Sequence, residues 1–374
     1  MTEPDNIRVI QTLLRQSIGE LAPHCQFLAR FLLALLAQRT VGLPWIASAV
    51  SRRTGASQTG ASAASCQKQI QRFLSDFRVR PESFARIIAR FLPDSPWILV
   101  MDRTNWFWGK RPINLLVLAV FLDGVAVPLL WLPLERDGVG RDGASDTSHR
   151  ILLMKQFLTL FGDKSHRGDQ RILYLTGDRE FIGADWIAWL RANHVPFRIR
   201  LRCSDRVMDS SGRVCEAWRL FRSAKASRGV SCLAGRFDLW ESEVFLGGKR
   251  LEGGDYLIIA SNERGNLLED YRNRWSIECL FQALKGRGFA LEQTRVTDPD
   301  RLGRLFGLLT LGYVLCVRIG ESLPEEVCKS TGRLRKSRAR RGLEVANRVA
   351  MWLLGEPPDV EKRLFFQAFV PVKT

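Results

Sequence analysis

The chain is poor in the residues that build several familiar kinds of site. It holds only four histidines, and none sits at a catalytic or ligand spacing, so imidazole chemistry has no foothold. Its eight cysteines are scattered from Cys25 to Cys328 with no C-x-x-C pair and no Cys-His ligand spacing. That excludes a zinc centre and a disulfide framework, and reads as the reduced thiols of a cytosolic protein. No Gly-x4-Gly-Lys-Ser/Thr loop is present, so nucleotide hydrolysis has no phosphate cradle. The opening Met1 to Asn6 has neither basic flank nor apolar run, so no signal peptide is expected. There is no internal repeat. One apolar stretch, Ile113 to Leu134, has the length of a membrane span, but Asp123-Gly124 interrupts it. An Asp-Gly pair between two apolar runs predicts a strand hairpin, not a spanning helix.

Acids are the scarcer charge: 39 Asp and Glu face 56 Lys and Arg, a net charge of +17 with a pI near 10.1. Such an excess calls for a polyanionic partner, either nucleic acid or an anionic membrane surface. With 374 residues, 46% of them hydrophobic, the chain can form two or three compact units.

Residues 1–95 predict a helical unit. Phe27, Phe31, Leu32, Leu35 and Leu36 recur at helical spacing, Leu43-Pro44-Trp45-Ile46 opens a short helix, and Cys66 to Leu74 forms another. Between them lies a Ser/Gly/Ala-rich loop, Ser51 to Ser65, carrying Arg52 and Arg53. Two helices and a loop of this kind either offer one helix to a DNA groove or form a plain bundle. Residues 96–320 change to strands: Trp97 to Met101, then the Ile113 to Leu134 hairpin. Helices Ile151 to Phe161 and Ala184 to Ala192 then alternate with strands Ile172 to Leu175 and Phe197 to Leu201. That order predicts an α/β fold with a mixed sheet: a meander extended through helical crossovers. Residues 203–254 break the rhythm as a β-rich insertion. One long helix is expected from about Asn266 to Lys285 and another over Arg301 to Ile319. Residues 321–374 form a basic helical end, in which Lys329, Arg333, Arg335, Lys336, Arg338, Arg340 and Arg341 follow one another without an acid.

Three acids hold positions suited to a shared site. Asp102 ends the first predicted strand, Asp178 follows the fourth, and Glu278 lies mid-helix. Singly, each reads as a solvated turn residue or a cap. Jointly, two acids at neighbouring strand ends and one on a packed helix supply oxygen ligands suited to Mg²⁺. Two such ions about 3.5–4 Å apart serve phosphoryl transfer without histidine. Around Glu278, Tyr271, Arg274 and Lys285 fall within roughly 60° of one helix face at about 100° per residue. Such a face is either a metal ligand with phosphate-binding neighbours or an ordinary i,i+4 surface ion pair.

Tyr271-x2-Arg274-x3-Glu278-x6-Lys285 resembles, without departure in spacing, the signature of bacterial insertion-sequence transposases of the Asp-Asp-Glu superfamily that includes the Tn-five and Tn-ten elements. Asp102-Arg103-Thr104-x-Trp106 and Gly177-Asp178-Arg179-Glu180-Phe181-Ile182-Gly183 are similar to that family's two aspartate motifs. The resemblance covers about residues 97–320. It implies a ribonuclease-H-like core, with the insertion between the second aspartate and the glutamate. It implies Asp102, Asp178 and Glu278 as catalytic metal ligands for two Mg²⁺ ions, with Mn²⁺ as a substitute. It implies cut-and-paste transposition on terminal inverted repeats and target DNA, in a homodimeric synapse in the bacterial cytoplasm. Tyr271, Arg274, Lys285 and Arg179 are then DNA contacts. Trp240, in the insertion, is either a base-stacking residue or a core tryptophan. A DNA-binding protein descended from a transposase, and a related metal-dependent nuclease, remain as alternatives.

Overall fold

The computed structural model describes residues 10–12, 14–16, 19–51, 62–76, 79–134, 146–162, 171–222, 231–233, 235–330 and 334–354. The loop arginines Arg52 and Arg53, most of the polar loop after Leu134, Arg333 and the last twenty residues (355–374) lie outside them.

Among the described residues the N-terminal part is helical, and a 3₁₀ segment, Gly19–His24, leads into its first long helix. α1 (Cys25–Gln38) is apolar on most faces and buries Leu28, Phe31, Leu32 and Leu35. It ends at Arg39, whose left-handed backbone turns its N–H back to the Leu35 carbonyl. α2 (Leu43–Ser51) follows, then α3 (Ala63–Leu74) and α4 (Pro81–Ala89). Ser62 caps α3 by accepting the Ser65 N–H at 3.1 Å, and Pro81 opens α4 where its missing N–H costs nothing.

The sheet starts with an antiparallel meander of β1 (Trp97–Trp108), β2 (Arg111–Leu122) and β3 (Val125–Pro133). Asp123 and Gly124 both take positive φ (43° and 84°), the backbone a two-residue hairpin turn requires. α5 (Thr147–Phe161) leads to β4 (Ile172–Gly177), and α6 (Ala184–Ala192) to β5 (Phe197–Arg200). β4 lies parallel to β1 and β5 parallel to β4. The insertion supplies β6 (Arg206–Met208), β7 (Val214–Glu216), β8 (Ser231–Cys232), β9 (Phe237–Leu239) and β10 (Ser242–Arg250). β11 (Tyr256–Ser261) closes on β5, and the whole is a mixed sheet ordered β3-β2-β1-β4-β5-β11-β10-β9-β6-β7, with β8 on β10. The insertion thus prolongs the main sheet through β10.

The remaining helices are α7 (Leu267–Arg272), α8 (Trp275–Leu284), α9 (Pro299–Glu321) and α10 (Arg338–Leu354). α9 is long and apolar enough to cross a membrane, yet 94% of its apolar window is buried inside the fold. Its Arg304 reaches the carbonyls of Leu74 and Val79, both at 2.9 Å, and its Gly303 carbonyl accepts from the Trp131 indole at 2.8 Å. α9 therefore binds the N-terminal helices and β3 into one core. α10 packs so closely on α9 that a Cβ on Gly342 would come within 1.7 Å of the Cys316 carbonyl oxygen. Only glycine permits that backbone approach.

Two elements differ from expectation. β1 does not stop at Asp102 but continues to Trp108, because the polar Arg103, Thr104 and Asn105 remain paired with Leu116, Leu115 and Asn114 of β2. The expected single helix from Asn266 to Lys285 is two helices. The chain tightens at Asn273 and Arg274, where the Arg274 N–H bonds the Tyr271 carbonyl three residues back. The Asn273 amide holds that break against β4 through the Tyr174 hydroxyl at 2.8 Å.

Candidate functional site

The parallel pairing of β1 and β4 runs from Trp97 and Ile172 to its last partners, Met101 and Gly177. Asp102 and Asp178 are the next residue on each strand. Neighbouring strands lie about 4.8 Å apart, so the two acids leave the ladder side by side. Asp102 stays in β1 through its pairing with β2, while Asp178 turns into a short 3₁₀ segment, Arg179–Phe181. Glu278 sits in the first turn of α8, not mid-helix, and α8 packs over β3 and β1.

Arg274 joins these acids. One guanidinium nitrogen donates to Asp102 Oδ2 at 3.2 Å and the other donates to Glu278 Oε1. Tyr271 donates its hydroxyl to Asp178 Oδ1 at 3.2 Å, and the Arg274 guanidinium lies 5.8 Å from the Tyr271 ring centre. The side chains of Asp102 and Arg274 are 17% and 13% exposed, so this pairing is largely shielded from solvent. Burial pushes the Asp102 carboxyl up to about 6; the Arg103 N–H and Arg274 hold it down, and Glu180 and Asp178 add to the rise. Burial also raises the Tyr271 phenol, which stays a neutral donor.

Lys285 stands apart from the acids. It follows α8 with non-helical backbone, so a straight-helix projection does not describe it. Its ammonium donates to the Asn105 carbonyl at 2.8 Å, three residues past Asp102 on β1, and pairs with Glu292 at 3.6 Å. Burial lowers its pKa, and Glu292 opposes that shift. Arg179 opens the 3₁₀ segment and its charge acts on Asp255. Trp240 occupies the two-residue turn between β9 and β10, half-buried against the core, with Glu241 beside it; both have positive φ (52° and 61°). That backbone is uncommon for bulky residues and strains the turn.

Four further residues join the cluster: Arg200, Asp255, Arg103 and Glu180. Arg200, on β5, lies 3.6 Å from Asp178 and 3.8 Å from Asp255. Arg103 holds Glu180 at 2.9 Å, tying β1 to the 3₁₀ segment behind Asp178. A signal for Arg200 was present in Phe197-Arg198-Ile199-Arg200, since a cation in a buried strand needs a partner. Arg198 carries the same signal and is structural: it is 6% exposed and holds Asp270 at 3.1 Å.

The donors are hard carboxylate oxygens, which suit a divalent cation. In this conformation they are engaged with guanidinium groups. Among the described residues no three His, Cys, Asp or Glu side chains stand close enough together to hold an ion. The chemistry of the set fits a metal, and Arg274 occupies the position between Asp102 and Glu278.

Residues 145–315 match the family described as the transposase DDE domain. The span includes Asp178, Tyr271, Arg274, Glu278 and Lys285 and leaves Asp102 outside. With that domain comes the function of a DNA transposase, an enzyme that cuts DNA and transfers the strand, and dependence on a divalent metal ion. Among solved structures, a cryo-EM structure of the piggyBac transposase synaptic complex with hairpin DNA is 14% identical, covering 92% of this chain and 77% of that one. Its TM-score is 0.44, too low for that likeness to bear on the site. No curated protein matches the chain.

Proposed function

We propose that the chain is a cut-and-paste transposase with a ribonuclease-H-like core, acting at the ends of an insertion element through Asp102, Asp178 and Glu278. The observation that carries this reading is the pair of acids leaving adjacent parallel strands together, with Arg274 linking Asp102 to Glu278. The three carboxylates would hold two Mg²⁺ ions, or Mn²⁺ in their place. Such ions activate the attacking oxygen and stabilise the leaving one in phosphodiester exchange.

The chain's own residues do the rest. Arg274 holds the two carboxylates together before ions arrive and, once they are engaged elsewhere, turns its guanidinium to a DNA phosphate. Tyr271 orients Asp178 through its hydroxyl. Arg200 offers a second cation beside Asp178, and Lys285 fixes the outer half of β1 through Asn105. Inverted-repeat ends and target DNA are the substrates, brought together by two copies of the chain.

Asp102→Ala, Asp178→Ala and Glu278→Ala should each abolish cleavage of end DNA and leave end binding nearly intact. Incubation with end DNA and a plasmid target should give joined products from the wild type only. Cutting at the wild-type rate by one variant would remove that residue from the site; cutting without joined products would make the chain a nuclease.

A further inference from the structure

Behind α8 lies a cavity of about 380 Å³ that the acids do not use. Its walls come from α8, the turn after it, and the start of α10. Four cations line it: Arg287, Arg335, Lys336 and Arg340. One acid answers two of them, since Glu344 takes Lys336 at 2.7 Å and Arg340 at 3.2 Å. The guanidinium groups of Arg287 and Arg335 have no ion pair or hydrogen bond among the described residues. The floor holds Tyr313, 2% exposed, whose hydroxyl has no hydrogen-bond partner among the described residues. That hydroxyl faces the cavity and can donate to an acceptor seated there. A phosphate supplies what these groups lack: negative charge and several acceptor oxygens.

The cavity also has a place along α8. Gln282 lines it and lies four residues, about 6 Å of helix, beyond Glu278, so the cavity opens about one turn along α8 from the acids. That is about two base steps of a DNA strand at 3.4 Å each. From this juxtaposition we infer that the cavity seats a phosphate of the DNA backbone flanking the one at the acids. The inference rests on the transposase reading for the DNA, and on the cavity alone for the phosphate.

Cys279 is exposed at the cavity and reports its occupancy, while Cys316 is buried and serves as a folding control. The full chain, free of divalent metal, is alkylated alone, with a short duplex of arbitrary sequence, or with inorganic phosphate. Labelling of each cysteine is followed by mass spectrometry. Duplex at ten times its Kd should slow Cys279 labelling about tenfold, by mass action. The double variant Arg287→Ala/Arg335→Ala should lose that protection at full duplex occupancy, with Cys316 still unlabelled. Its slope of log K against log salt should become shallower by about 0.9, the share of a single phosphate. Tyr313→Phe should weaken protection less than the double variant. Equal Cys279 labelling with and without bound duplex would overturn the seat. Protection by inorganic phosphate alone would overturn its assignment to DNA. A wild type that cuts and joins DNA while Cys279 stays unprotected refutes only the seat. One protected by duplex yet unable to cut refutes only the enzyme reading.

Discussion

The two sides of α8 handle charge in opposite ways. Toward the sheet, cations and acids answer one another: Arg274 with Asp102 and Glu278, Arg200 with Asp178 and Asp255. Toward α10, Arg287 and Arg335 stand without acids among the described residues. Charge balance at the acids lets Asp102 and Glu278 share Arg274 in the free protein, while Arg200 answers Asp178, where like charges would otherwise repel. Charge imbalance behind them leaves a field for a polyanion. On the proposed reading, the cluster meant for cations is neutralised from within, and the cavity meant for phosphate is not.

Salt tests the unbalanced side most severely. With six to ten phosphate contacts, affinity for DNA should fall on the order of 10³–10⁵-fold between about 50 and 200 mM salt. Binding titrations across that range check it, and a flat response would mean that the +17 charge does not face DNA.

The balanced side breaks most informatively at Arg274. Arg274→Ala should slow single-turnover cleavage of pre-bound end DNA on the order of 100-fold, the cost of slightly misplaced reacting groups. Unlike a surface pair, worth at most about 1 kcal/mol, this guanidinium answers two partly buried acids. Its loss should lower the melting temperature in chelator, and added Mg²⁺ should restore it by supplying the missing positive charge. A melt indifferent to both changes would show that the carboxylates do not gather around a shared cation.

A smaller effect separates Asp102 from its partners. Its folded pKa, about 6, lies above the ordinary value of 3.8, so the folded chain holds this proton more tightly than the unfolded one. The associated stability is present in full below about pH 4 and is lost as pH rises through about 6. Two pKa units correspond to about 3 kcal/mol at most. Asp102→Asn, which stays neutral, should therefore raise metal-free stability by up to that amount at pH 8. The gain should disappear near pH 4. Denaturant melts at the two pH values measure it, and an equal effect at both would place its cause in packing instead.

How much of this was legible beforehand depended on whether the signal was local. Asp123-Gly124 announced its hairpin because two positive-φ residues in a row restrict what can sit there. The spacing of Tyr271, Arg274 and Glu278 announced their cluster, although the helix carrying them breaks between Tyr271 and Glu278. The break itself depends on Asn273 reaching Tyr174, a partner 99 residues away in sequence. The continuation of β1 was hidden for a similar reason, since Arg103, Thr104 and Asn105 look like a loop until β2 pairs with them. The rear cavity brings α8 together with residues past Leu334, a proximity that no window along the chain contains.

The Gly342 contact has a mechanical consequence. A basic end tethered by flexible chain would be ordered each time it met DNA, and that ordering would subtract from affinity. Here α10 is seated on α9 backbone to backbone, and Asn347 pins it to the carbonyls of Leu36 and Ala37, both at 2.8 Å. Arg340 and Arg341 are thus anchored before any ligand arrives, and the entropy of fixing them belongs to folding. If the proposed reading holds, the described part of this basic end would meet DNA as a rigid element whose position is set by α9.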